Sequence, residues 1–131
     1  MKAFDALREQ VTGNDALMTY QLVIKLSAPG SIKIGQLGEF FFPTGRYVYT
    51  GSARRNILAR VQRHLQSQKT CRWHIDYFLV HLDTRIIDIR CSDLPECRLI
   101  QQQPGKIPVP GFGASDCRKG CGSHFKYLGT L

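Results

Sequence analysis

The sequence predicts an α+β domain in which a small, mostly antiparallel sheet of about three strands is flanked by helices. Two observations predict this class. Short β-branched and aliphatic runs, beginning with Thr19 to Leu26, alternate with turn signals in the first half of the chain. From Arg54 onward, the apolar period changes to that of amphipathic helices. A chain of 131 residues suits one core, so we expect a single domain over 1–131.

The N-terminal half combines one predicted helix with several short strands. Helical spacing of apolar residues places the helix at about Phe4 to Val11, inside an N-terminal extension over residues 1–17. Strand-like patterns then follow at 19–26, 31–34 and 46–51, and a short apolar run at 40–42 ends at a proline. The first half therefore predicts most of the sheet.

Three helices are predicted in the second half of the chain. An amphipathic helix runs from Arg54 to about Gln68, and a second helix or helical turn covers Trp73 to Leu82. A proline favours the start of a third helix, from Glu96 to about Gln103. These helices are expected to pack on the sheet.

One further strand and a loop-rich tail complete the second half. Residues 84–90 alternate like a strand, with Ile87 and Ile89 on one side and Ile86 and Asp88 on the other. The tail over 104–131 is rich in proline and glycine, and it ends in a predicted closing strand at 124–128. The tail is therefore expected to be an ordered loop before that strand.

The charge of the chain favours a polyanionic partner. Eighteen Lys and Arg against 10 Asp and Glu give a formal net charge of +8, and basic side chains that neutralise phosphates release condensed counterions. No acidic residue lies between Glu39 and Asp76. The basic residues of that stretch are Arg46, Arg54, Arg55, Arg60, Arg63, Lys69 and Arg72. A solvated helix face is the alternative, but the lack of internal acidic partners favours a nucleic-acid surface.

Composition also limits the surroundings of the protein. The chain is 43% hydrophobic and 21% charged, which excludes a chain disordered by composition. No apolar run approaches the roughly 20 residues of a membrane-spanning helix, and the first residues do not resemble a secretory signal. We therefore expect a cytoplasmic protein without a membrane partner.

A strand, a turn and a helix place several reactive side chains in one segment, 45–64. Tyr47 and Tyr49 lie on one face of the predicted strand, and the small residues Gly51 and Ser52 then allow a phosphate or backbone to approach closely. On the following helix, Arg60 and His64 are four residues apart and therefore side by side. Guanidinium binds phosphate and imidazole moves protons, although strand packing and surface charge would produce the same residues.

The tail contains a candidate zinc site. Cys117, Cys121 and His124 provide three soft ligands within eight residues. The chain has five cysteines; this odd number and the absence of a signal favour reduced thiols or metal ligands over disulfides. The alternative is a set of half-buried thiols beside a loop histidine, so zinc remains one of two interpretations.

The order of these segments resembles the GIY-YIG endonuclease superfamily. The strings YQLVI and YVYTG, the helical Arg-x-x-x-His and the later Glu96 carry the resemblance. The strings GRYVYTGSA, WHIDYFL and FGASDC…SH resemble, more closely, a small stand-alone branch of that superfamily. The resemblance implies a small three-stranded antiparallel sheet with helices, and cleavage of phosphodiesters with one divalent metal.

The resemblance also implies roles for individual residues. Tyr20 and Tyr49 match the two motif tyrosines, and Gly51 matches the glycine of the second half-motif. Arg60 matches the phosphate-binding arginine, and His64 a histidine found in some members. Glu96 matches the carboxylate that holds Mg²⁺ or Mn²⁺, although a carboxylate in the first turn of a helix also suits the helix dipole.

Some positions depart from the superfamily pattern. Met18 stands where the first half-motif has glycine, and Thr50 occupies the middle of the second half-motif. No asparagine follows Asn56, so the late asparagine of many members has no counterpart. These departures affect the expected catalysis more than the expected fold.

The function expected from the sequence is a metal-dependent, endonuclease-like phosphodiesterase. Its substrate would be DNA rather than RNA, in repair or processing. The nucleic-acid contacts are assigned to Arg46, Gly51, Ser52, Arg54, Arg55, Arg63, Lys69 and Arg72. The alternative is a non-catalytic nucleic-acid-binding module on the same fold.

Overall fold

A computed structural model describes residues 2–12, 16–53, 56–113 and 123–130. The α-helices are α1 (Lys2–Val11), α2 (Ile57–Leu65), α3 (His74–Leu79) and α4 (Glu96–Gln102). The strands are β1 (Thr19–Leu26), β2 (Gly30–Ile34), β3 (Gly38–Phe42), β4 (Gly45–Ser52), β5 (Thr84–Ser92) and β6 (Phe125–Gly129). Helices and strands together confirm the predicted α+β class.

The main sheet has four strands in the order β5-β1-β4-β6, and each neighbouring pair is antiparallel. Strands β2 and β3 form a separate two-stranded sheet. The expected count of about three strands is therefore too low, because the closing strand β6 joins the edge of β4. The central strands β1 and β4 pair along their whole length.

The core lies around the two central strands. Nearly every residue of β1 and β4 is buried, as expected for strands covered on both faces. An aromatic cluster of Phe42, Tyr47, Phe78 and Phe125 joins the small sheet, the main sheet and α3 through ring contacts of 4.9–6.3 Å. Tyr47 therefore belongs to the core, as the packing interpretation of the strand tyrosines proposed.

The face assignment in β5 was wrong. The pairing of β1 with β5 shifts register after Val23, which pairs with Asp88, so that Ile24 pairs with Ile86. The extra residue, Ile87, is left at the surface, whereas Ile86 and Ile89 are buried. A bulge of this kind reverses the alternation within a strand, which a strict period of two does not predict.

Two helices are shorter than predicted because local hydrogen bonds end them. Lys69 Nζ donates to the carbonyl oxygen of His64 at 2.5 Å, so α2 ends at Leu65 and not near Gln68. The hydroxyl of Thr84 lies 3.0–3.2 Å from the last carbonyls of α3, which ends at Leu79. Side chains therefore satisfy the orphan carbonyls of both helices.

In the part of the chain that the structure describes, no helix is both long and apolar enough to cross a membrane.

Candidate active site

The two motif tyrosines lie together on one face of the sheet. Tyr20 pairs with Gly51 across the β1–β4 ladder, and Leu22 pairs with Tyr49, which makes Tyr20 and Tyr49 diagonal neighbours. Their ring centroids are 6.5 Å apart. A Cβ atom at Gly51 would lie 2.5 Å from the hydroxyl oxygen of Tyr20. Glycine is therefore required there because the Tyr20 ring lies over the backbone.

Helix α2 brings His64 against this pair. Asn56 caps the helix by accepting a hydrogen bond from the backbone N–H of Ala59, and the helix then buries Ile57, Val61 and His64 along one stripe. His64 Nε2 lies 2.7 Å from the Tyr20 hydroxyl. The imidazole ring of His64 therefore contacts one of the two motif tyrosines directly.

Burial keeps His64 and the tyrosines uncharged. Desolvation lowers the pKa of His64 to about 3, so its ring is neutral at physiological pH. Burial is also the largest of the causes that raise the pKa of Tyr20 and that of Tyr49. The positive charge of Arg60 lowers both pKa values. Either tyrosine needs additional positive charge nearby before it can lose its proton.

Arg60 lies beside this group without an acidic partner. Within the described residues, its guanidinium forms no ion pair and no hydrogen bond, and its carbon atom lies 4.8 Å from the centroid of the Trp73 ring. Its charge lowers the pKa of Tyr20, Tyr49 and Glu96. The positive charge of Arg60 is therefore close enough to influence all three groups, and it forms no ion pair with a described carboxylate.

Glu96 completes the arrangement from the start of α4. The hydroxyl of Ser52 donates to its Oε1 at 2.8 Å, and Nδ1 of His124 lies 3.2 Å from its Oε2. Burial raises the pKa of Glu96, but the bonds from His124 and Ser52 outweigh it and leave the pKa below the ordinary value. A third of this side chain is exposed. The site therefore presents an ionised carboxylate at an accessible position.

The structure thus brings all five predicted catalytic residues into one group. The residues are Tyr20, Tyr49, Arg60, His64 and Glu96, supplied by β1, β4, α2 and α4. Glu96 interacts electrostatically with Tyr20, Tyr49 and Arg60. The five side chains therefore lie near one another at the end of β1 and β4 that carries Tyr20 and Gly51.

The predicted nucleic-acid contacts are divided among several places. Gly51 and Ser52 belong to the site itself, but Arg46 lies at the opposite end of β4, roughly 20 Å away along the strand. Arg54 and Arg55 lie outside the described residues. The remaining three basic residues, Arg63, Lys69 and Arg72, surround the C-terminal half of α2.

Sequence reasoning missed the role of Asp76. Its carboxylate is fully buried and accepts two hydrogen bonds from Arg63 at 2.9 and 3.0 Å. It also accepts hydrogen bonds from the backbone N–H groups of Arg72 and Trp73. Burial raises the pKa of Asp76, but these bonds lower it by more, so the pKa lies below its ordinary value. The only signal in the sequence is an acidic residue in the first turn of a predicted helix, and this signal does not identify the partners of the carboxylate.

The role of Trp73 and that of His124 were also missed. Besides Arg60, the Trp73 ring holds Arg63, whose guanidinium carbon is 4.5 Å from the ring centroid. His124 was assigned to zinc, yet it contacts Glu96 because its backbone is held by Thr50 and Phe112 beside β4. Neither contact follows from spacing in the sequence.

The zinc site remains a prediction. Cys117 and Cys121 lie outside the described residues, and no cluster of three potential ligands occurs among the residues that are described. Cys71 and Cys91 are reduced, as expected, but Cys97 is disulfide-bonded, contrary to expectation. Its sulfur lies 3.6 Å from Nε2 of His124, a neighbourhood created by α4 and β6 that the spacing of the cysteines does not reveal.

Comparison with known proteins gives a family but no characterised relative. A family model described as a domain of unknown function, DUF123, matches residues 19–131. No curated protein and no solved structure matches the chain.

Proposed function

The chain belongs to the DUF123 family, and we propose from the geometry of its own residues that it is a metal-dependent phosphodiesterase of GIY-YIG type that hydrolyses DNA. The observation that carries the proposal is that Arg60, which forms no ion pair within the described residues, interacts electrostatically with Tyr20, Tyr49 and Glu96. A cation held beside two phenols and a carboxylate is suited to a phosphate group that approaches from solvent.

Arg60 would bind and stabilise the phosphate. Because the guanidinium has no carboxylate partner among the described residues, its donors are free to bind two phosphate oxygens at once. As the attacking water adds, negative charge grows on these oxygens. A preorganised donor of this kind contributes about 3–4 kcal/mol to transition-state stabilisation.

Tyr20 and His64 would form the route for the proton of the attacking water. Since His64 is neutral, we assign its Nε2 as acceptor of the Tyr20 hydroxyl proton across 2.7 Å. The phenolic oxygen then keeps its lone pairs for the water. As the proton of the water moves to Tyr20, the proton of Tyr20 moves to His64. Tyr49 is the alternative acceptor on the same face.

Glu96 fits a hard divalent cation. Mg²⁺ and Mn²⁺ prefer oxygen ligands and commonly use one or two carboxylates together with substrate phosphates, and Glu96 is ionised and partly exposed. Such an ion would supply Lewis-acid stabilisation of the leaving group and the positive charge that lowers the pKa of a tyrosine. Ser52 would orient the carboxylate by its hydrogen bond, and His124 by its ring nitrogen 3.2 Å from the other carboxylate oxygen.

The substrate and setting follow from the charge and the resemblance. The net charge of +8 supports a nucleic-acid ligand. The superfamily resemblance favours DNA, cleaved during repair or processing in the cytoplasm.

A non-catalytic nucleic-acid-binding module is the second candidate. One observation favours it: both oxygens of Glu96 already face protein donors, Ser52 and His124. A carboxylate retained only to hold the start of α4 against β4 would have the same contacts.

Cleavage assays separate the two functions. Labelled single-stranded, duplex and branched DNA would be incubated with the protein in Mg²⁺, in Mn²⁺ and in a chelator, with RNA as a comparison substrate. The enzyme predicts metal-dependent cleavage of DNA that Glu96→Ala and Arg60→Ala abolish. If no substrate is cut, or if these variants cut as fast as the parent, the proposed hydrolytic function of this site is rejected.

A further inference from the structure

A basic pocket lies on α2 next to the candidate active site. It has a volume of about 380 Å³ and is formed by the exposed face of α2 and the loop that follows it. We call it the α2 pocket and define it by Gln62, Arg63, Gln66, Lys69, Thr70 and Arg72. None of the described residues that line it carries a carboxylate.

The cations of the α2 pocket are not equally available. Arg63 is neutralised by Asp76, which lies buried behind the pocket, and it also donates to the carbonyl oxygen of Thr70. Lys69 and Arg72 form no ion pair among the described residues. The pocket therefore has two uncompensated positive charges.

Lys69 lies in the α2 pocket with ammonium donors left for a ligand. Its side chain is half-buried and uses one ammonium donor on the carbonyl oxygen of His64, which leaves two donors for a ligand. Burial lowers the pKa of Lys69, and Arg63 lowers it further, whereas Asp76 raises it. An anion would offset the desolvation of this ammonium group.

Trp73 contacts one arginine of the α2 pocket and one arginine of the candidate active site. The guanidinium groups of Arg60 and Arg63 both lie within 5 Å of its ring centroid. Arg60 faces the tyrosines and Glu96, and Arg63 forms a wall of the pocket. Because the two arginines are three residues apart, both groups follow the same side of α2.

We propose that the α2 pocket binds a second backbone phosphate of the nucleic-acid strand whose phosphodiester lies at Arg60. Lys69 and Arg72 supply the charge, and Gln62, Gln66 and Thr70 supply neutral donors. Such a contact fixes the register of the strand without selecting its sequence. The inference rests on the proposed nucleic-acid ligand, but it does not require cleavage.

Equilibrium binding in a chelator tests the inference separately from catalysis. The probe is a fluorescently labelled single-stranded DNA, and anisotropy gives its affinity for wild-type protein and for the Lys69→Gln/Arg72→Gln variant over a series of KCl concentrations. Glutamine at position 69 keeps a donor for the His64 carbonyl. The matched control is Lys33→Gln/Arg85→Gln, which removes the same charge from exposed positions outside the pocket. Thermal unfolding verifies that each variant is folded.

Loss of the contacts to one phosphate reduces the salt slope, log K against log [KCl], by about 0.7 for a single strand. We expect this reduction in the Lys69→Gln/Arg72→Gln variant and a change near zero in the control. Equal changes in the two variants, an unchanged slope in both, or wild-type protein that binds no DNA would overturn the inference. Selective loss of binding together with absent cleavage would support the α2 pocket and reject only the hydrolytic function.

Discussion

Arg60 and Arg63 lie three residues apart on α2 and contact the same tryptophan ring, yet within the described residues only Arg63 has an acidic partner. Arg63 is bound by the buried carboxylate of Asp76 through two hydrogen bonds. Arg60 has no acidic partner within the described residues and faces two buried tyrosines and Glu96. Arg63 therefore connects α2 to the buried carboxylate of α3, whereas Arg60 keeps a charge that no described carboxylate pairs with.

The comparison shows why positive charge alone does not identify a binding residue. Both guanidinium groups lie in the acid-free stretch between Glu39 and Asp76. Asp76 is the first acidic residue after that stretch. It forms an ion pair with Arg63 because the start of α3 lies beside α2.

The largest effect is expected from the partner of Arg63. Asp76→Ala leaves a partly buried guanidinium and two backbone N–H groups without their acceptor, which costs about 3–5 kcal/mol of unfolding free energy. Denaturant unfolding measures this loss. The control is Asp88→Ala, which breaks a solvent-exposed pair with Arg90 and costs about 0.5 kcal/mol. Equal losses in the two variants would mean that the buried pair is not structural.

Removal of the unpaired arginine is expected to affect catalysis instead of folding. Arg60→Gln loses a cation–π contact of about 0.5–1 kcal/mol, but it should reduce the single-turnover rate of DNA cleavage by about 10²–10³-fold. Arg85→Gln, an exposed substitution of the same charge, should leave the rate unchanged. A strongly destabilised Arg60 variant that still cuts at the parental rate would reverse the roles assigned to the two arginines.

Acid should weaken the fold through His64. Its folded pKa, about 3, lies below the unfolded value of about 6.5, so between these values the unfolded state binds the additional proton. Stability is therefore complete above about pH 6.5 and falls toward acid by as much as about 1.4 kcal/mol per pH unit. Denaturant unfolding from pH 7 to pH 4 measures the slope.

The control for this pH effect is His64→Gln, which retains a hydrogen-bonding group for Tyr20 but does not titrate. Asp76 and Glu96, whose pKa values are lowered, add their own loss at lower pH in both proteins. The slope of the variant should therefore be shallower than that of the wild type between pH 6.5 and pH 5. Identical slopes would show that His64 is not buried in neutral form.

The smallest effect is expected from the ring that the two arginines share. Trp73→Leu keeps an apolar side chain against the core but removes both cation–π contacts. We expect about 1 kcal/mol of lost stability and a decrease in cleavage of about tenfold or less. Trp73→Phe retains an aromatic face and should recover part of the cleavage rate. Cleavage that is equally low in both variants would exclude positioning of Arg60 by the ring.

Much of the fold could be predicted from local patterns. The largely buried strand β1, the strand β4 and the helix that begins at Glu96 follow from apolar runs and from the preceding proline. The bulge at Ile87 could not be predicted, because it depends on how β5 pairs with β1. The ends of α2 and α3 depend on Lys69 and Thr84, which belong to other segments.

The candidate site was predictable only as a set of residue types. The resemblance supplied Tyr20, Tyr49, Arg60, His64 and Glu96, and the structure places them together. The hydrogen bonds that orient them are long-range. Ser52 and His124 meet Glu96 across 44 and 28 positions of the chain, and no spacing rule encodes such contacts.

The metal dependence of cleavage tests the central claim most directly. Single-turnover cleavage of a DNA that the wild-type protein cuts would be measured against Mn²⁺ concentration, in wild type and in Glu96→Gln. Glutamine preserves the size of the side chain and a hydrogen-bonding oxygen for Ser52, but it removes the charge that a hard cation requires. The account predicts a saturable dependence on Mn²⁺ in the wild type and a rate at least about 10²-fold lower in the variant. Equal rates in the two proteins, or cleavage that persists in chelator, would contradict it.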